Sequence, residues 1–526
     1  MANALRQSRL WCVLAWCAAS WNSSRFRRFC VWVRSCFLNS GTHRVGVRYL
    51  SRPSAGAESA GITKRLGRLN IRLYHRGRTF VPILKGSLLY RIYRAIFTCG
   101  RNSRLLGWLF RGGMTAFLLT AVGLYCLIDV GFRRVLIIPI VSSAWDEGLL
   151  ILAFLWLIYL RMRAPKPVTP RANPLDTPIF LFLGVGLALM FAVSPFFSIA
   201  VAGYRATVEY ILWFYLILRL LRDDRDLMTL YLVLVSAAFL ISLHGIYQYI
   251  VAVPIPSKWT DQAETSVRTR VFSIFGSPNI MGDFMVMFAP MTAGLAYWFK
   301  DKRAKLVCWF ATFCMCFACL FTMSRGAWVG LVLAVFIFAL LVDRRLIALM
   351  ALAGICSLAL PFVTSRLGYL FSDQYAASTA NGGRVSRWLI AKDYLKTNPL
   401  LGFGLGMFGG AVAMQNKVYA WISYFYVDNY YLKILVEMGY VGLTAFLLMM
   451  LGFIAAGLRS VYRSSKAPKE GSMYPLCAGM FAGLCGVLLH CCFENIFEQP
   501  YMMAYFWSIA AMIVYIGFFR RRGAAN

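Results

Sequence analysis

Residues 326–342 have the sequence GAWVGLVLAVFIFALLV, an apolar run without a charged side chain. Arg325 stands immediately before this run, and Arg344 and Arg345 follow it. As a helix, each residue of such a run adds about 1.5 Å along the axis, so the run is long enough to cross most of the hydrocarbon core of a bilayer. The run therefore predicts a membrane-spanning helix with basic residues at both ends.

The same apolar character extends over most of the chain. Hydrophobic residues make up 60% of the 526 residues, and the mean hydropathy is +0.63. A soluble chain of this length could not solvate that composition. Apolar windows of spanning length occur at 114–130, 146–161, 177–194, 207–221, 227–251, 280–298, 304–323, 326–342, 346–362, 430–457, 474–491 and 500–519. The sequence thus predicts an all-α, polytopic membrane protein with about twelve transmembrane helices.

Basic residues are concentrated in every second connection between these windows. The basic segments are 161–171, 222–225, 300–305, 344–345, 459–469 and 520–522. Cytoplasmic loops carry the excess of Lys and Arg in membrane proteins. This alternation predicts that both termini are cytoplasmic and that one large extracytoplasmic loop, residues 363–429, lies between spans nine and ten.

The N-terminal segment differs from the rest of the chain. Up to Arg104 its only acidic residue is Glu58, whereas Arg and Lys are frequent. Such segments usually stay disordered or lie on anionic lipid headgroups. We therefore divide the chain into an Arg-rich cytoplasmic segment (1–110), a polytopic membrane domain (111–520) and a short cytoplasmic tail (521–526).

Several arginines stand on the predicted outer side, where the charge bias disfavours them. Arg325 lies at a junction of two spans, Arg270 precedes a turn into the sixth span, and Arg384 and Arg387 begin a helical stretch in the long loop. Arginine keeps its charge and offers paired donors, so converging arginines would form a diphosphate clamp. The alternatives are an interfacial anchor at Arg325 and a solvated helix face at Arg384 and Arg387.

Two other motif matches have a simpler interpretation. Residues 404–409 fit the dinucleotide pattern G-x-G-x-x-G, but no strand–helix–strand pattern surrounds them. The Cys cluster at 314–319 and the HCC triplet at 490–492 with Glu494 could be metal ligands. Small buried residues are the favoured interpretation of these cysteines, because C-x-C-x-x-C in a helix points the thiols in different directions. We therefore predict neither a cofactor nor a metal.

The order of four motifs resembles the bacterial O-antigen ligase and polymerase superfamily. The motifs are FGSPN at 275–279, SRG at 324–326, RVSRW at 384–388 followed by NPLLGFG at 398–404, and DNYYL at 428–432 followed by EMG at 437–439. The resemblance covers roughly residues 110–520. It implies a glycosyltransferase of the bacterial cytoplasmic (inner) membrane with twelve spans and one large outer loop.

Enzymes of this family move a glycan from an undecaprenyl-diphosphate carrier to an acceptor hydroxyl, without a metal. The implied partners are this lipid-linked donor, a lipid, polysaccharide or protein acceptor, and membrane lipids, but no nucleic acid. The ligases typically have His at the position of Asp428, so ligase and polymerase both stay open here. A transporter or flippase of lipid-linked glycans or small solutes is the alternative from another class.

On this resemblance Asp428, Arg325 and Arg384 are the catalytic candidates. Asp428 would deprotonate the acceptor, and the arginines would neutralise the leaving diphosphate. Arg270, Arg387, Asn279 and Asn429 are the candidates for substrate binding. Alternatively, Asn279 and Asp428 could be helix caps, since both residue types cap well. For Glu437, inside the tenth span, a structural ion pair is expected.

Overall fold

The computed structural model describes residues 61–104, 107–136, 139–255, 269–380, 383–417, 425–468 and 471–520, together with Arg28, Trp32 and Ser35. The chain divides into two compact units, Met1–Ser54 and Ala55–Asn526. In the smaller unit the three described residues are helical. All described site residues lie in the larger unit, whose described residues form helices and no strands.

From Gly61 onward the α-helices of the described residues are α1 (Gly61–Gly86), α2 (Leu88–Asn102), α3 (Gly107–Phe110), α4 (Gly113–Gly123), α5 (Tyr125–Val130), α6 (Pro139–Arg163), α7 (Asp176–Ala192), α8 (Phe197–Val208), α9 (Leu212–Leu220), α10 (Asp224–Ile250), α11 (Pro278–Trp298), α12 (Lys302–Phe321), α13 (Arg325–Leu341), α14 (Arg345–Ser357), α15 (Pro361–Gly368), α16 (Asp373–Ala380), α17 (Arg384–Leu395), α18 (Ala411–Asn416), α19 (Tyr430–Ser465), α20 (Tyr474–His490) and α21 (Pro500–Val514).

Each of the twelve predicted windows overlaps at least one of these helices. Among the described residues, five helices are long and apolar enough to cross a membrane by themselves: α10, α11, α12, α19 and the continuous stretch Pro500–Phe519. The bent pair α4 and α5, with an angle of 72°, would be a sixth span if it crosses as one unit. The all-α, apolar architecture agrees with the sequence, whereas the number of twelve spans stays a prediction.

Helix α11 lies at the centre of the bundle. Its most apolar window is 94% buried, and it contacts α10, α12, α13 and α20. The contact with α20 is close because glycines of α20 face the backbone of α11. A Cβ added to Gly483 would lie 2.2 Å from the carbonyl oxygen of Met287. Small residues at such contacts let helix backbones approach one another inside a membrane.

Residues 61–102 form α1 and α2, so the disordered alternative does not hold for them, whereas contact with anionic lipid headgroups stays a prediction. Helix α1 packs along α6, and the Asn70 amide donates a hydrogen bond to the carbonyl oxygen of Val168 at 2.8 Å. In α2 the ring of Phe97 packs against Phe110 and Phe117. Apart from Arg28, Trp32 and Ser35, the residues before Gly61 lie outside the described part of the chain, so the expectation for them is not tested.

Helix α19 is broken at Gly439, which has φ +64°. The residues 398–404, here called the strap, pair with the backbone on both sides of the break. The amides of Phe403 and Gly404 donate to the carbonyl oxygens of Val436 and Glu437 at 2.7 and 3.0 Å. The strap therefore satisfies backbone groups that a continuous helix would satisfy internally.

The other side of the break is paired in the same way. The amides of Tyr440 and Val441 donate to the carbonyl oxygens of Pro399 and Leu400 at 3.0 and 3.1 Å. Two glycines permit this approach: a Cβ on Gly402 would lie 2.5 Å from the nitrogen of Gly439. The motifs NPLLGFG and EMG thus form one structural joint, which holds the strap against α19 at its break.

Candidate functional site

Asp428 lies one residue before the N-cap of α19. The cap is Asn429, whose side-chain oxygen accepts a hydrogen bond from the amide of Leu432 at 3.0 Å. The capping alternative for Asp428 is therefore wrong. Asp428 has φ +52°, a left-handed conformation that Asp tolerates better than most residues. Its carboxylate points to α17 instead of to the helix backbone.

Helix α17 provides the cationic partners of Asp428. Nη1 of Arg387 donates to Oδ2 of Asp428 at 2.8 Å and to the carbonyl oxygen of Tyr426 at 3.1 Å. Nε of Arg384 lies 3.8 Å from the same carboxylate oxygen. The indole of Trp388 donates to the carbonyl oxygen of Val427 at 3.1 Å. The solvated-face alternative is therefore wrong for this helix, since its first turn docks on residues 426–428.

The charged groups around Asp428 shift its pKa in opposite directions. The pKa of Asp428 is raised to about 6, mainly by burial and in addition by the nearby charge of Glu494. Arg384 and Arg387 favour the ionised form and oppose this shift of the pKa. Asp428 is therefore mostly ionised at neutral pH, with a pKa close enough to neutrality for a general base.

Arg270 approaches from the segment before α11. It is only 8% exposed; its Nε donates to the carbonyl oxygen of Thr322 at 3.1 Å, and its Nη2 donates to Oδ1 of Asn279 at 3.1 Å. Burial lowers the pKa of Arg270 to about 10, helped by Arg325 and Arg384 and opposed by Glu494. Arg270 thus stays a cation at neutral pH and lies within electrostatic reach of two other arginines.

Asn279 is not the cap of α11. That position belongs to Ser277, whose hydroxyl accepts a hydrogen bond from the amide of Asn279 at 3.2 Å. The side chain of Asn279 instead joins Arg270 to Glu494, because its Nδ2 donates to Oε2 of Glu494 at 2.5 Å. The capping alternative for Asn279 is therefore wrong.

Arg325 is the first residue of α13. Its guanidinium lies 5.0 Å from the ring centroid of Tyr375 on α16, which is a cation–π contact. Its guanidinium lies close enough to Arg270 for its charge to lower the pKa of Arg270. The anchor alternative for Arg325 stays open, because a residue at a membrane boundary can hold both roles.

The sequence analysis missed Glu494 and Asn495 as site residues. Oδ1 of Asn495 accepts a hydrogen bond from the amide of Asn429 at 3.1 Å, and its Nδ2 donates to the carbonyl oxygen of Gly409 at 2.8 Å. Glu494 is 9% exposed. The available signal was an acid–amide pair in the short connection 492–499, on the same predicted side as the arginines.

The expected ion pair at Glu437 is confirmed, and it is part of a buried triad. Nζ of Lys433 lies 2.7 Å from Oε2 of Glu437 and 3.3 Å from Oε1 of Glu498. The other two carboxylate oxygens accept hydrogen bonds from the amides of Phe408 and Ala411 at 3.2 and 3.0 Å. The triad therefore holds the glycine-bearing segment next to α19, and that segment has a structural role.

His490 and the cysteines near it were the candidates for metal ligation. In the described part of the chain, His, Cys, Asp and Glu form no group of three or more that could hold a metal ion. His490 is instead buried against Asp283, with 3.0 Å between Nδ1 and Oδ1. Asp283 lies one helical turn after Asn279 on α11, and His490 is the last residue of α20, four residues before Glu494.

Four arginines and two carboxylates therefore meet at one place: Arg270, Arg325, Arg384, Arg387, Asp428 and Glu494. Their charges leave an excess of two positive charges within this group. An excess of this kind complements a dianionic group such as a diphosphate, and guanidinium groups bind phosphate oxygens in pairs. The carboxylate of Asp428 can accept a proton beside the bound anion.

The comparison with known families agrees with this chemistry. Residues 310–447 match the family model described as O-antigen ligase. The matched region contains Arg325, Arg384, Arg387 and Asp428, whereas Arg270, Asn279 and Glu494 lie outside it. No curated protein matches the chain. Residues 310–447 are thus similar to the O-antigen ligase family, which supports the resemblance of this chain to the O-antigen ligase/polymerase superfamily.

Proposed function

We propose that this protein transfers or polymerises a glycan from an undecaprenyl-diphosphate carrier onto an acceptor hydroxyl, without a metal. The reaction takes place at the outer face of the bacterial cytoplasmic membrane, with both termini of the chain in the cytoplasm. The observation that supports the proposal most is that Arg384 and Arg387 contact the carboxylate of Asp428, while Arg270 and Arg325 lie close enough to Arg384 for its charge to lower their pKa values. The product is either a ligated lipid, polysaccharide or protein, or a longer surface polysaccharide.

Arg270, Arg325 and Arg384 act on the donor. Like charges held together repel one another, so a bound anion stabilises this arrangement. When the glycosidic carbon–oxygen bond breaks, its electron pair leaves with the diphosphate, and the arginines neutralise the developing charge. Fixed donors do this well because they need little reorganisation during the reaction.

Asp428 acts on the acceptor. Its carboxylate takes the proton of the acceptor hydroxyl while the hydroxyl oxygen forms the new bond to the anomeric carbon. Arg387 donates to this carboxylate at 2.8 Å and therefore holds the base in place. Asn429 supports the same geometry because it caps the helix that follows. The proton then leaves to water or to the released diphosphate.

The first prediction tests the base. Asp428→Asn keeps the shape of the side chain but cannot take the proton, so transfer should fall by about 10²–10⁴-fold. A strain that lacks the wild-type protein would be complemented with each variant. The carrier-linked glycan in its membranes would then be measured by mass spectrometry. Binding of undecaprenyl diphosphate by the purified variant should persist.

Asp393→Asn is the matched control, because Asp393 is an exposed acid of α17 that forms a salt bridge with the exposed Lys396 at 2.8 Å. It should complement fully. If Asp428→Asn also complements fully, Asp428 is not the base, and a substrate-assisted reaction supported by the arginines replaces it.

Broken helices favour one competing function, transport of a lipid-linked glycan, because many transporters contain them. The breaks here are at Gly439 and between α4 and α5. The backbone groups released at Gly439 bind the strap, whereas in a transporter such groups typically bind the cargo. A flippase would move the carrier-linked glycan across the membrane of proteoliposomes without forming a new glycosidic bond. Analysis of the products for a new glycosidic bond therefore separates the two functions.

A further inference from the structure

Glu494 is a buried acid at the site for which the transfer reaction above requires no role. It lies in the connection after α20, and its Oε1 accepts a hydrogen bond from the amide of Asn495 at 3.3 Å. Its Oε2 accepts from Nδ2 of Asn279. The two residues are 215 positions apart in the sequence. Burying a carboxylate is costly unless it is hydrogen-bonded or paired, so the contacts of Glu494 need an explanation.

The amide of Asn279 lies between a cation and an anion. A guanidinium only donates hydrogen bonds and a carboxylate only accepts them, whereas an amide has one end of each kind. Asn279 can therefore satisfy both neighbours in one orientation only, with its oxygen toward Arg270 and its nitrogen toward Glu494. Glu494 thus fixes the amide, and the amide fixes one end of the guanidinium of Arg270.

The other contacts of Arg270 complete its orientation. Its Nε donates to the carbonyl oxygen of Thr322, at the end of α12. Thr322 lies three residues before Arg325, so this contact holds Arg270 next to a second arginine. Two hydrogen bonds from different elements define the plane of the guanidinium, and a defined plane is what paired binding of phosphate oxygens requires.

Glu494 also lies close to the acceptor side of the site. The next residue, Asn495, accepts a hydrogen bond from the amide of Asn429, which directly follows Asp428. Glu494 and Asn495 therefore link the segment before α11, which contains Arg270, to the segment before α19, which contains Asp428. A change at Glu494 reaches the donor side through Asn279 without removing a group that touches the acceptor.

We propose that Glu494 is a positioning residue that orients Arg270, through Asn279, for binding the diphosphate of the lipid-linked donor. The inference rests on the proposed function for the identity of the anion. It assigns Glu494 no contact with the substrate. Its effect is on donor affinity, because the guanidinium of Arg270 is displaced when the carboxylate at the other end of the amide is lost.

The test is a double-mutant cycle on binding of undecaprenyl diphosphate by the full-length protein in nanodiscs. Glu494→Ala should raise the Kd by about tenfold to a hundredfold, the range for a hydrogen bond to a charged group. Arg270→Ala should have a comparable effect. The double variant should bind at most about twofold more weakly than Arg270→Ala, because both changes act on one contact. Glu494→Gln keeps an acceptor oxygen and should recover most of the affinity.

The controls separate this inference from a general structural role. Asp393→Asn should bind as wild type, and each variant should keep its thermal midpoint in detergent. If the effects of Glu494→Ala and Arg270→Ala on binding multiply, Glu494 does not act through Arg270 and the inference is wrong. A wild-type protein that binds undecaprenyl diphosphate but forms no glycosidic bond overturns the proposed function alone. A wild-type protein that does not bind it overturns both.

Discussion

The carboxylate of Asp428 lies 2.8 Å from Nη1 of Arg387 and close enough to Glu494 for the charge of Glu494 to raise its pKa. Burial and Glu494 bring its pKa to about 6, well above the value of about 3.9 for an exposed Asp. As the pH falls through the pKa, the base is protonated and cannot accept a proton. We therefore expect kcat/KM for transfer to decrease about tenfold per pH unit below pH of about 6.

The measurement is the initial rate at limiting donor over a pH series, with detergent-purified enzyme. Asp428→His should keep part of the activity and a similar acid limb, because imidazole has a pKa of about 6.5. Asp428→Asn should lose both the activity and its decrease at acidic pH. A wild-type rate that stays constant down to about pH 4.5 would contradict an ionised Asp428 as the base.

Sequence alone identified the residue types of the site but not their individual contacts. Asp428 and Asn429 are adjacent and both cap helices well, so only the backbone shows that Asn429 is the cap. The same ambiguity affected Ser277 and Asn279. The contact of Glu494 with Asn279 could not be predicted, because it depends on how α11 and α20 pack.

At the scale of elements, the strap and the break in α19 depend on two glycines. Gly439 has φ +64°, and a Cβ there would lie 2.3 Å from the carbonyl oxygen of Leu400. We expect Gly439→Ala to destabilise the protein by more than the roughly 1–2 kcal/mol of the left-handed backbone alone, because the strap must also move. The measurement is the thermal midpoint in detergent, with transfer assayed in parallel.

Gly354→Ala is the matched control, since Gly354 is helical in α14 and a Cβ there meets no atom within 4 Å. Alanine favours a helix over glycine by up to about 1 kcal/mol, so this variant should be neutral or slightly more stable. Equal thermal midpoints for the two variants would show that the break does not need Gly439.

Hydropathy predicted the positions of the helices well and their continuity poorly. The window 430–457 is apolar on both sides of the break, because the membrane requires an apolar surface there whether or not the helix is continuous. The window 114–130 likewise contains the bend of 72° between α4 and α5. The only local signal for the break was the presence of glycines in the motifs NPLLGFG and EMG. These two motifs contact each other but lie far apart in the sequence.

At the scale of the whole molecule, the charge distribution is the sequence property that determines orientation. The formal net charge is +34, so basic residues are abundant enough for their unequal distribution between loops to be informative. The structure brings Arg270, Arg325 and Arg384 together from separate elements. The unequal distribution of basic residues between the loops predicts that this group lies on the extracytoplasmic side. A topological measurement therefore tests the predicted orientation of this group.

The last prediction concerns that orientation. Reporter fusions after Lys302 and Lys466, in basic connections, should be active only as cytoplasmic reporters, because retention of basic loops in the cytoplasm sets membrane topology. A fusion after Gln415, an exposed residue of α18, should be active only as an extracytoplasmic reporter. Alkaline phosphatase and green fluorescent protein provide the two readouts. Gln415 is preferable to Tyr375, because Tyr375 contacts Arg325. A cytoplasmic signal at Gln415 would place the arginines beside nucleotide-activated sugars, and the lipid-linked donor would lose its support.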